Sequence, residues 1–257
     1  RDCLLSRGLG DVYKRQILYK YRNWDNELHK KVLTDNILYM ASPRDFEDIH
    51  DCNIPKKFPK KSELYDFFLK KSKTEYPNRS RSEHRQYARY WRDKSPLGNP
   101  IQLSQLIERF NNEFNNKFGV LSLTANYDNN AMWEKYADNH KGICFGFNAK
   151  SLFECVGGGG EVQYIDKLPT INFVDDDFLN KHVKNIFFKE NKWSFEQEYR
   201  LHKMWESDAS NNERCIHFPI ESLVEIRLGK NMSQDAKEDI KRIAKQKYPN
   251  AKIIECH

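Results

Sequence analysis

Leu121–Phe147 reads LSLTANYDNNAMWEKYADNHKGICFGF, and the alternation within it decides the fold. With Gly119 and Val120 ahead of it, the first part is a strand. Val120, Ser122 and Thr124 share one face and Leu121 and Leu123 the other, the period of two that a half-buried strand shows. Ala131–Ala137 (AMWEKYA) then predicts a short helix, Asn139-His140-Lys141-Gly142 a turn, and Ile143–Phe147 a second strand.

Upstream, Ile17–Arg22 (ILYKYR) sets Tyr19 and Tyr21 against Lys20 and Arg22 and predicts a strand; Ile37–Ala41 predicts another, closed by Ser42-Pro43. An acidic loop, Asp45–Asp51 (DFEDIHD), follows. Residues 62–118 read as mostly helical. The last of these helices places Leu103, Ile107, Phe110, Phe114 and Phe118 on one buried stripe, with Ser104 as its N-cap. Lys56–Arg92, rich in lysine and arginine, reads as the basic exterior of a helical insertion.

Downstream, Gly157–Gly160 is a run of four glycines. A phosphate cradle needs a strand before such a run and a helix directly after it. Glu161–Ile165 reads as a strand, so the run is expected to be a flexible hairpin connection. Asp175–Lys189 predicts a helix with acids in its first turn and Leu179, Val183, Ile186 and Phe187 facing inward. Glu198–Met204, Cys215–Phe218, Val224–Leu228 and Ile253–Glu255 read as strands, and a helix burying Ile240, Ile243 and Ala244 precedes the last. No repeat or low-complexity linker divides the chain. The expected architecture is a single α+β domain over residues 17–257, a mixed β-sheet core with a helical insertion around residues 62–118.

The chain of 257 residues is 39% hydrophobic, enough for a substantial core. No run approaches the roughly 18 apolar residues of a membrane span. Six cysteines without CxxC spacing read as thiols of a reducing compartment, and the eight histidines form no HExxH pair, so a cytoplasmic protein without a metal is expected. The net charge of +6 reads as spread along the chain. Residues 1–16 (RDCLLSRGLGDVYKRQ) resemble the translated adapter read-through of some metagenomic assemblies and are read as outside the native fold.

Three polar groups on strands stand out. Arg22 ends the first strand, with Tyr21 beside it; Ser122 and Thr124 share a face of a middle strand; Glu196 and Glu198 lie two apart at the mouth of a late one. A basic residue, a hydroxyl pair and two carboxylates suit chemistry on a nucleotide glycoside. An arginine clamps a diphosphate, one carboxylate stabilises an oxocarbenium-like transition state, and a second activates the nucleophile. Trp133, Tyr136, Trp193 and Phe195 are read as core, and Glu198→Ala is expected to spare the fold because a strand-mouth carboxylate contributes little to a core.

YKYR (19–22), ILYMASPRDFED (37–48), LSLTANYDNNAMWEKYADNHKGICFGF (121–147) and EQEYRL (196–201) resemble the bacterial family called domain of unknown function 2971. Where that family commonly reads FNDPFD, this chain reads FEDIHD at residues 46–51. The order Arg22, Ser122-Leu123-Thr124, Glu196-Gln197-Glu198 is similar to the Arg / Ser-Thr-Ser / Glu-x-Glu layout of ADP-ribosyltransferase toxins, with Thr in place of the last Ser. That resemblance implies an ADP-ribosyltransferase-like sheet with NAD as substrate. Arg22 and Tyr21 would bind beside the phosphates, Ser122 and Thr124 would support the ribose site, Glu198 would contact the ribose, and Glu196 would activate a macromolecular acceptor, protein or nucleic acid.

Two other readings are open at this stage. A metal-dependent nuclease would use Asp45, Glu47, Asp48, His50 and Asp51. A non-catalytic nucleic-acid-binding module would use the basic residues of 56–92, with Tyr87, Tyr90 and Trp91 interleaved to stack on bases.

Overall fold

The computed structural model describes residues 17–172, 174 and 176–257. Expectations for residues 1–16 and for Asp175 lie outside the described residues. The chain runs β1 (Ile17–Arg22), α1 (Glu27–Thr34), β2 (Ile37–Tyr39), β3 (Lys56–Lys57), α2 (Leu64–Glu75), α3 (Arg81–Lys94), α4 (Pro100–Lys117) and β4 (Phe118–Thr124). It continues through α5 (Asn130–Tyr136), β5 (Ile143–Asn148), α6 (Ala149–Val156), β6 (Gly159–Glu161), β7 (Gln163–Ile165), β8 (Ile171–Asn172), α7 (Phe178–Phe187), β9 (Phe188–Glu190) and β10 (Glu198–Met204). It ends with β11 (Cys215–His217), β12 (Leu223–Leu228), α8 (Gln234–Lys247) and β13 (Lys252–Glu255). This is the expected α+β architecture.

Seven strands form the central sheet in the order β13-β12-β5-β1-β4-β10-β6. All neighbours are antiparallel except β12 and β13, which run parallel across the α8 crossover. Registered pairs put Leu18, Leu121, Leu123, Phe145, Phe147, Leu201 and Ile226 on one face, where α1, α6 and α8 cover them in the main core. Fully burying one such leucine or phenylalanine contributes about 1.5–3 kcal/mol. The other face carries Tyr19, Tyr21, Ser122, Thr124, Glu198 and Arg200. β1 meets β4 at one registered pair, Tyr19 with Thr124, whereas β4 and β10 pair over seven residues. Beyond Tyr19 the sheet is therefore open between β1 and β4.

The helical insertion is present as α2, α3 and α4. The start of α4 differs from expectation: Asn99, not Ser104, is the N-cap, its side chain accepting from the amides of Ile101 and Gln102, with Pro100 at the first helical position. A proline there needs no partner for the N–H it lacks, and its fixed φ suits the first turn. Asn99→Ala should cost about 1 kcal/mol of stability, read by urea unfolding, while Ser104→Ala should cost almost nothing.

The glycine run is not a flexible link. Gly157 (φ +98°) caps α6 in the left-handed conformation, and Gly159–Glu161 forms the edge strand on β10. A Cβ at Gly159 would lie 2.4 Å from the Arg200 carbonyl oxygen, so only glycine admits that approach. The helix expected at Asp175–Lys189 is shorter, Phe178–Phe187 capped by Asp177, and Leu179 points outward. The charge is also less even than its total suggests. Residues 56–94 hold thirteen Lys and Arg against five Asp and Glu, a net +8 that exceeds the +6 of the whole chain. Among the described residues, no helix is long and apolar enough to cross a membrane.

Candidate functional site

A cleft of about 260 Å³ opens where β1 leaves β4. Its walls are Tyr19–Arg22 of β1, Val120, Ser122 and Leu123 of β4, Met132, Lys135 and Tyr136 of α5, the loop from Asp45 to Asp51, and Lys189, Trp193, Glu196 and Glu198. Of the residues singled out from sequence, Arg22, Tyr21, Ser122, Glu196 and Glu198 line this one space. Thr124 does not. It is buried beneath, and its hydroxyl oxygen accepts from the Asn126 amide to start the next turn.

The two carboxylates are not on an exposed strand face. Glu196 ends a short 3-10 turn, Gln197 sits in the left-handed region (φ +43°), and Glu198 begins β10, so the bend turns both acids inward. Each is 3% exposed. Both converge on Lys189, whose ammonium lies 2.5 Å from Glu196 Oε2, 3.2 Å from Glu198 Oε2 and 3.2 Å from Asp51 Oδ2. Arg200, wholly buried, grips Glu198 with two parallel bonds, Nε to Oε1 at 2.7 Å and Nη2 to Oε2 at 2.9 Å. Its Nη2 also lies 2.8 Å from Asp51 Oδ1, and Nη1 donates to the Ile186 carbonyl at 2.6 Å. Tyr136 donates to Glu196 Oε1 at 2.6 Å, and the Glu198 amide donates to the Tyr164 hydroxyl at 2.9 Å.

Three carboxylates and two cations leave this buried cluster with one formal negative charge. Burial alone would raise the pKa of Glu198, but Arg200 and Lys189 together hold it well below the usual carboxylate range. The Ser122 hydroxyl stands near enough to add to that effect, although its Oγ makes no hydrogen bond of ordinary geometry. Against sequence expectation, Glu198 is thus a fixed part of the interior.

The opposite wall has the opposite sign. Lys20 donates to the Ser122 carbonyl at 2.5 Å, and neither Lys20 nor Arg22 meets a carboxylate among the described residues. Burial, then the neighbouring Arg22, pushes the Lys20 pKa far down, and burial lowers that of Arg22 to about 10. Glu198 and Glu196 oppose that fall in Lys20 from across the cleft without pairing with it, so an anion seated between Lys20 and Arg22 would favour the charged form of both. β1 and β10 flank β4, so their backbones stand roughly 10 Å apart, and the Lys20 side chain reaches inward from β1 as far as the β4 backbone.

The acidic loop is spent on protein contacts. Asp48 accepts from the Trp193 indole at 2.6 Å and pairs with Lys192, Glu47 pairs with Lys135, and Asp51 joins the buried cluster. Among the described residues, no three His, Cys, Asp or Glu side chains converge to hold a metal ion. Of the aromatics read as core, Trp133 is buried, Phe195 packs beside it, and Tyr136 and Trp193 line the cleft. Sequence reasoning passed over Lys20, Lys189 and Arg200. Arg200, two residues from Glu198 on one strand, had to share its face, and that was the available signal.

These linkages fix the acid response. Burial lowers the pKa of His29, to about 4, and also those of His182 and His202, so the unfolded chain takes up their protons first as pH falls. Their stability is lost from about pH 6.5 downward. Glu198, depressed in the folded state, contributes stability that is present above about pH 4.5 and lost as pH falls through its folded value. Melting temperature should therefore fall in two successive stages on acidification from pH 7. A melting temperature that rises between pH 7 and 5 would contradict this.

Residues 132–201 match the family described as "Protein of unknown function (DUF2971)", and the family resemblance read from the sequence holds over this segment, which carries Lys189, Glu196, Glu198 and Arg200. No curated protein and no solved structure matches the chain.

Proposed function

We propose that the cleft binds NAD and transfers its ADP-ribosyl group to a macromolecular acceptor. The observation that carries this reading is the bipolar cleft itself. Residues distant in sequence bring two basic side chains with no ion pair of their own, Lys20 and Arg22, and a net-negative carboxylate cluster to two walls of one space. A dinucleotide with an anionic diphosphate and a cationic pyridinium has the matching polarity. The cleft volume falls just under the roughly 300–1,000 Å³ of drug-sized sites, which suits the diphosphate and the nicotinamide ribose with the adenosine lying outside.

In this reading Arg22 and Lys20 hold the diphosphate. The glycosidic bond between C1′ of the ribose and the pyridinium nitrogen breaks, and its electron pair neutralises the nicotinamide. The oxocarbenium centre left at C1′ is stabilised by the net-negative cluster. Three donors occupy Glu198, which leaves room on its two oxygens for one ribose hydroxyl. Glu196 takes the proton of the acceptor nucleophile as the new bond to C1′ forms. Lys189, Arg200 and Asp51 are positioning residues that hold the two acids. The test is release of nicotinamide from NAD, followed by chromatography. Wild type should release it, and Glu196→Gln should do so at least about 100-fold more slowly. Equal rates in the two would remove Glu196 from the reaction.

A further inference from the structure

A second surface lies on the α2–α3 hairpin, and its properties are independent of the cleft chemistry. The hairpin is held by Leu64, Phe68 and Ala88 in a small core of its own and by a buried hydrogen bond between Ser72 and His84 at 2.9 Å. Residues 56–94, which contain it, carry the net +8 noted above. Most of that charge is not neutralised locally. Arg81, Arg85 and Arg89 are exposed and form no ion pair or hydrogen bond among the described residues. At 100° per residue they fall within about 80° of one another around α3, with about 6 Å of rise between successive members.

Exposed aromatic side chains follow further round the helix, Tyr90 about 100° beyond Arg89 and Trp91 about 100° beyond Tyr90. Trp91 is 37% and Tyr90 57% exposed, in an edge contact at 5.3 Å. Trp91 and Tyr87 line a groove of about 360 Å³ against Phe67, Phe68 and Leu97. Arg79 stacks 3.8 Å over the ring of Tyr76, itself 40% exposed. A chain crossing the outer crest of α3 from this groove meets Trp91, then Tyr90, then the arginine row.

We propose that the outer side of α3 binds single-stranded nucleic acid crossing over it, with unstacked bases on Trp91 and Tyr90 and phosphates on Arg81, Arg85 and Arg89. The charge favours a polyanion, and the exposed rings choose among polyanions. Base faces stack on aromatic rings whatever the sequence, while an acidic peptide would use the guanidinium groups and leave the rings idle. Free arginines aligned along one helix supply phosphate contacts without a cavity.

The test is fluorescence anisotropy of labelled single-stranded RNA and DNA of roughly 12 nucleotides, longer than the helix itself so that the whole of it can be covered, with polyglutamate as competitor. Wild type should bind, with log affinity falling linearly against log salt. Arg81→Gln/Arg85→Gln/Arg89→Gln should weaken binding and reduce that slope by about 2, near 0.7 for each phosphate left unneutralised. Tyr90→Ala/Trp91→Ala should weaken binding at least about fivefold with the slope unchanged. All five side chains are exposed, and circular dichroism of each variant confirms that the fold is retained. No binding by wild type at about 50 mM salt, where phosphate contacts are strong, would overturn the proposal. Binding that polyglutamate displaces and that ignores loss of the two rings would overturn it as well, in favour of an acidic protein partner.

Discussion

Arg200→Met should lower the unfolding free energy by about 3–5 kcal/mol, because it leaves Glu198 and Asp51 buried with Lys189 as their one remaining cation. The loss is large since the arginine satisfies two carboxylates and a backbone carbonyl at once. Glu198→Ala should be costly for the mirror reason, stripping a buried guanidinium of its two-bond partner. The double variant should cost less than the sum of the two, and urea unfolding of all four proteins gives the coupling directly. Single variants that unfold like wild type would show that the cluster is not the buried network described.

Glu196→Gln should have the largest effect on chemistry with the least on the fold. The amide preserves the side-chain shape and keeps one oxygen, for Lys189 or for the Tyr136 hydroxyl; Lys189 retains Glu198 and Asp51 whichever it takes, but the amide cannot accept a proton. The structure thereby moves the informative substitution from Glu198, whose loss confounds folding with function, to Glu196. A Glu196→Gln protein should melt within a few degrees of wild type and still respond to NAD. Loss of nicotinamide release without loss of the NAD response assigns Glu196 to the transfer step rather than to binding.

Much of the fold was legible because it rests on local alternation. β1, β4, β5, β10 and β12 follow period-two patterns in which one face is apolar, and burial against helices is what such a face requires. Capping was less legible. Asn99 and Ser104 both precede apolar helical positions, and Pro100 decides for the former. The glycine run misled because its role depends on a partner: Gly159 is required by the approach of Arg200's backbone, which no local pattern reveals.

The site was legible in its members and illegible in its state. A carboxylate on a strand ordinarily faces water, and the spacing of Glu196 and Glu198 gives no sign of anything else. What permits their burial is neutralisation by Lys189 and Arg200 together with Asp51, which comes from a loop 149 residues before Arg200. Burial of charge is a property of the set, so reading each acid singly assigns it to the surface. That Lys20 and Arg22 line the same cleft as the two acids is likewise visible only once the sheet is assembled.

The bipolar cleft is tested most directly by the thermal shift that NAD produces in wild type and in Arg22→Gln. At about a hundred times its dissociation constant a ligand adds roughly 2.7 kcal/mol, about 5–10 °C for a chain of this size. Wild type should shift by that amount with NAD and with ADP-ribose, and Arg22→Gln should lose most of both shifts. A wild-type melting temperature unmoved by either ligand, or an Arg22→Gln protein that responds as wild type does, would contradict the account.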